Sequence, residues 1–134
     1  MGAWGSGPFE NDDAADWRYL LVDGGGPEVV GDALRDAVGA GAPELPAAAN
    51  AVAAAAIVGA GLGVGGVELP DDVREWLAAA DSSAWPPLAP EAVGALDRVL
   101  TESELRDLWS EAGDDSWAAE TRALRDAIEA TTGG

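Results

Sequence analysis

The chain has 134 residues, with 25 acids against 7 bases and a formal net charge of −18. That length suits one domain closing one core, and an apolar share of 48% is too high for a chain disordered by composition. Every base is Arg, so the absence of Cys, His and Lys removes thiol and thiolate-metal chemistry, the commonest general base and metal ligand, and Schiff-base or Walker-lysine chemistry.

Residues 1–10 read as a loop, because Gly2, Gly5 and Gly7 free the backbone and Pro8 fixes it around two large anchors, Trp4 and Phe9. Asn11 or Asp12 suits an N-cap, and Asp12 and Asp13 suit the positive end of a helix running to about Val22. Trp17, Leu20 and Leu21 are expected on its buried face. Asp23 to Gly26 ends it. Pro27 opens a second helix to about Gly39, with Val30, Ala33, Leu34, Ala37 and Val38 at helical spacing.

Next comes a near-continuous Ala run, Ala47 to Ala60, preceded by Pro46 and ended by the glycines from Gly59 to Gly66. A helix apolar all round must be buried, and small side chains let neighbours approach closely, so this helix is expected at the centre. Residues 45–67 carry no charge and are long enough to span a bilayer. Ala and Gly dominate them, however, and Glu44 and Glu68 flank them where cationic anchors belong, which favours a buried helix.

Val64 to Leu69 reads as an extended connector. Pro70-Asp71-Asp72 opens a helix with Val73, Trp76, Leu77 and Ala80 on one face. Ser82 to Pro90 reads as a loop carrying Trp85. Pro90-Glu91 starts a helix with Val93, Leu96, Val99 and Leu100. Thr101 with Glu104 fits a capping box for the next, which bears Leu105, Leu108 and Trp109 and ends at Gly113. Asp114 or Asp115 caps a last helix through Trp117, Leu124 and Ile128, expected to fray over 131–134. The expectation is all-α: a compact single-domain bundle of about seven helices around the Ala-rich one, spanning 1–134.

The opening Gly-x-Trp-Gly-x-Gly-x-Phe-Glu-Asn-Asp-x-Ala-x-Asp-Trp, residues 2–17, resembles the signature of the bacterial domain-of-unknown-function family 4259. The Ala47–Ala60 run and Ser103-Glu104-Leu105-Arg106-Asp107-Leu108-Trp109 resemble later segments of that family. The resemblance implies a small, mostly helical single domain, and it brings no activity, substrate or catalytic residue. The Gly59–Gly66 stretch is looser than the family pattern.

Glu10, Asn11, Asp12, Asp13 and Asp16 form the densest polar group. On a helix Asp12, Asp13 and Asp16 share a face, so they are candidate oxygen ligands for Ca²⁺ or Mg²⁺, or paired carboxylates. Acids also open other helices, at Asp71-Asp72, Glu102-Glu104 and Asp114-Asp115, where they complement the helix dipole, and no calcium-loop spacing is present. The simpler reading is therefore capping. Gly61 to Gly66 matches Gly-x-Gly-x-x-Gly literally, but a helix precedes it, so no nucleotide site follows. Ser82 and Ser83 have no base partner. Of the six Trp, Trp17, Trp76, Trp109 and Trp117 fall on apolar helix faces. Trp4 and Trp85 fall in loops, where they either anchor a partner or plug the bundle.

An acidic chain disfavours nucleic acid and anionic membranes and favours a basic protein partner. The expected function is a non-catalytic interaction module of inhibitor or immunity-like type, without a cofactor. The alternative is a carboxylate-based divalent-metal or small-molecule binding protein or enzyme. No targeting segment is read at the start, so a cytoplasmic location is expected.

Overall fold

The computed structural model describes residues 12–39, 43–64, 67, 69–113 and 116–132; the side chains of Asp12, Asp13, Leu45 and Thr132 lie outside that description. Seven α-helices follow in order: α1 Asp12–Val22, α2 Pro27–Ala37, α3 Leu45–Gly61, α4 Asp71–Ala79, α5 Ala89–Thr101, α6 Glu104–Ala112 and α7 Ser116–Thr132. No strand occurs among the described residues, so the fold is all-α.

The Ala-rich α3 is the hub. It packs against α1, α2, α5, α6 and α7, and every residue from Ala51 to Gly59 is buried. Side chains this small gain little contact singly, so α3 depends on larger neighbours reaching over it. Leu21, Leu34, Leu96, Leu105 and Ile128 from five surrounding helices complete the same buried cluster. At its C-terminus Val64 N–H donates to the Gly59 carbonyl at 2.9 Å, closing the last turn.

The surrounding helices follow their apolar spacing. Val30, Ala33, Leu34 and Ala37 are buried on α2, and Ala92, Ala95, Leu96 and Val99 on α5. α5 also packs on α2 and α7, and three arginines tie pairs of helices together. Arg18 of α1 meets Asp72 of α4 at 3.3 Å, Arg35 of α2 meets Glu91 of α5 at 2.8 Å, and Arg125 of α7 meets Asp97 of α5 at 2.8 Å. The Trp76 indole N–H donates to the Gly25 carbonyl at 2.8 Å, docking α4 on the link between α1 and α2.

Several expectations are corrected. Leu20 is 64% exposed, because it lies about 100° round the helix from Leu21 and the core takes Ala14, Trp17 and Leu21 instead. Val38 and Leu108 are exposed as well. Ser82 to Pro90 is not an open loop: two short 3-10 turns, Ser82–Ala84 and Pro86–Leu88, lead straight into α5, with Pro90 in its first turn. The capping residue of α6 is Ser103, not Thr101. α5 runs on through Thr101, whose hydroxyl donates to the Asp97 carbonyl at 2.7 Å. The chain breaks only at Glu102, and the Ser103 hydroxyl accepts from Arg106 N–H at 3.0 Å while donating to the Val99 carbonyl at 2.7 Å. Gly113 ends α6 in the left-handed region at φ 72°, as its position in the sequence predicts. α7 continues through Thr132, and the expected caps Asp114 and Asp115 lie outside the described residues.

Candidate functional site

The expected N-terminal site is only partly within view. Trp4, Phe9, Glu10 and Asn11 lie outside the described residues, as do the side chains of Asp12 and Asp13. Backbone positions place Asp12, Asp13 and Asp16 in the first two turns of α1. Asp16 is exposed. Among the described residues no three acidic, His or Cys side chains come together as a metal site.

Trp85 takes the second of the two readings open to it and plugs the bundle. Its segment folds inward between the two 3-10 turns, leaving the side chain 1% exposed rather than free to meet a partner. The indole lies directly over Gly61, where any β-carbon would collide with the ring. It meets Trp76 with ring centroids 5.9 Å apart and planes tilted by 57°. Trp85 thus plugs the end of α3, and the glycine that ends the helix is also what admits it. Trp17, Trp109 and Trp117 are buried, and Trp76 is half-buried.

The other polar candidates are occupied structurally. The Asp81 carboxylate accepts the Ser83 backbone N–H at 2.9 Å and its hydroxyl at 2.8 Å. Those two bonds, the backbone one first, hold Asp81 below the usual carboxylate range. This is the geometry of a turn cap. A shallow depression of about 210 Å³ is lined by Gly25, Gly26, Pro27, Trp76, Ala79 and Ala80, none of which ionises. Its one indole N–H is already spent on Gly25.

The outer face of α1 is a feature that sequence reasoning misassigned. Tyr19 is 58% exposed beside the exposed Leu20, while Asp16 and Asp23 are exposed one turn to either side. Asp23 follows the last helical residue, yet its N–H still donates to the Tyr19 carbonyl at 3.0 Å, so it continues the helical stripe. The Arg18 guanidinium sits 4.9 Å from the Tyr19 ring centroid while pairing with Asp72. The pattern was available in the sequence: Ala14, Trp17 and Leu21 fall at i, i+3 and i+7, which leaves Leu20 off the stripe.

A small all-α domain built on a buried Ala-rich helix, with no assembled catalytic group among its described residues, is the class that the fold and surface define. The model of a domain of unknown function, DUF4259, matches residues 2–120, and the chain belongs to that family. No curated protein and no solved structure matches it.

Proposed function

We propose that this protein is a non-catalytic interaction module whose acidic surface docks a basic protein partner, in the manner of an inhibitor or immunity factor. One observation supports the reading above others: the positive charge of the chain is largely spent within the chain. Arg18, Arg35, Arg74, Arg98, Arg106 and Arg125, six of the seven arginines, sit in ion pairs with their own acids. Acids number 25 in all, and most of the described ones are exposed, so a large negative excess is left over. Such a field steers cationic partners and repels nucleic acid and anionic membranes. No helix among the described residues is long and apolar enough to cross a membrane.

The test is crosslinking capture at low salt, identification of the captured protein, and stopped-flow association of the purified pair. The reading expects a basic partner whose association rate falls steeply as NaCl rises. A captured partner that is neutral or acidic, or a rate independent of salt, contradicts it.

A further inference from the structure

We infer that the outer face of α1 is the docking surface, and that its occupant is an amphipathic helix of a partner protein carrying Arg or Lys on both sides of an apolar pair. The inference rests on the interaction reading above and names its surface. Among the described residues, exposed large apolar side chains elsewhere are single: Val38 stands at the end of α2 and Leu108 on α6. Scattered apolar residues of that kind are ordinary. Tyr19 and Leu20 instead stand side by side on the stripe bounded by Asp16 and Asp23.

The stripe has a definite spacing. Asp16 and Asp23 are seven residues apart, or about 10 Å along a helix rising 1.5 Å per residue. A second helix laid alongside repeats that distance between residues i and i+7, with i+3 and i+4 between them on the same face. A partner with cations at i and i+7 and apolar residues at i+3 and i+4 therefore matches both the charges and the apolar centre. Arg18 does not spoil the match, because Asp72 neutralises it and its guanidinium lies against the Tyr19 ring, limiting that ring's freedom. A second copy of this chain is a poor occupant, since two molecules at −18 repel one another.

The test uses the full chain and two synthetic helical peptides, one with Arg at i and i+7 and Leu at i+3 and i+4, the other with Glu replacing Arg. Binding is read by fluorescence anisotropy. The Arg peptide is expected to bind and the Glu peptide to fail. Tyr19→Ser with Leu20→Ser, and separately Asp16→Asn with Asp23→Asn, should each weaken binding about tenfold or more, as loss of central anchors does. Glu111→Gln with Glu120→Gln removes the same charge from exposed positions on α6 and α7 and should change binding less than about twofold. Equal loss in all three variants, or no binding of the Arg peptide, overturns the assignment. The captured partner separates the two claims. If it is basic and salt-sensitive yet binds both α1 variants like the wild type, this surface is wrong and the interaction reading stands; a partner that is not basic overturns both.

Discussion

Gly61 and Gly94 make a pair of substitutions with opposite expected signs. Gly61 carries the Trp85 indole where a β-carbon would lie, whereas a β-carbon on Gly94 in α5 meets nothing within 4 Å. Gly61→Ala should destabilise by about 1–3 kcal/mol through overpacking. Gly94→Ala should stabilise by about 0.4–1 kcal/mol, because Ala costs less chain entropy in a helix than Gly. Denaturant midpoints of the two variants check both signs. Ser103 and Thr101 make a second pair. Ser103→Ala removes an N-cap and should cost about 0.5–2 kcal/mol, while Thr101→Ala, whose exposed hydroxyl only bonds back within its own helix, should stay within about 0.5 kcal/mol. The reverse order would restore Thr101 as the cap. Asp81 carries a pH dependence. Its folded pKa lies below the ordinary 3.8, so its contribution is complete above that value and is lost as pH falls through the lowered folded one. The gap in melting temperature between wild type and Asp81→Ala should therefore be constant at neutral pH and close in strong acid. A gap that widens on acidification would contradict the sign.

Among the elements, α3 carries the heaviest structural demand. Ala55 and Ala56 are wholly buried, so Ala55→Asp or Ala56→Asp places an unpaired charge in the core and should cost more than about 4 kcal/mol. Circular dichroism melts showing either variant at wild-type stability would contradict a central α3. This helix was readable in the sequence because a charge-free Ala run between periodic segments has few other places to go. The starts of α2 and α4, and the end of α6 at Gly113, were readable for the same local reason: proline, paired acids and glycine each act on the backbone next to them. What escaped reading depended on contacts far along the chain. Trp85, just before two prolines, could by its position either plug the bundle or meet a partner, and its approach to Gly61, from another helix, makes it core. Leu20 is a different case, because the spacing of Ala14, Trp17 and Leu21 already leaves it off the stripe that α1 turns toward α3 and α4. Of the candidate site, the acidic start of α1 was visible as composition, whereas the exposed Tyr19 and Leu20 beside it were hidden by the rule that large apolar residues go inside.

For the whole molecule, the balance of charge decides the response to ions. Six arginines already hold carboxylates in pairs that are mostly exposed, and salt weakens such pairs. Repulsion among the remaining acids is the larger effect, since acids outnumber arginines 25 to 7. Screening acts over about 8–10 Å at physiological salt, which reaches across neighbouring helices. The melting temperature should therefore climb gradually with NaCl. A specific divalent site at Asp12, Asp13 and Asp16 would behave differently, adding stability saturably at concentrations too low to screen. Thermal unfolding in low-millimolar CaCl₂ or MgCl₂, beside an NaCl titration, separates the two uses of the acidic surface. An outward-facing field for a basic partner predicts a smooth NaCl-dependent rise with no added step from either divalent ion. A saturable Ca²⁺ or Mg²⁺ shift that Asp12→Asn or Asp13→Asn abolishes would contradict it and make the acidic start of α1 a metal site.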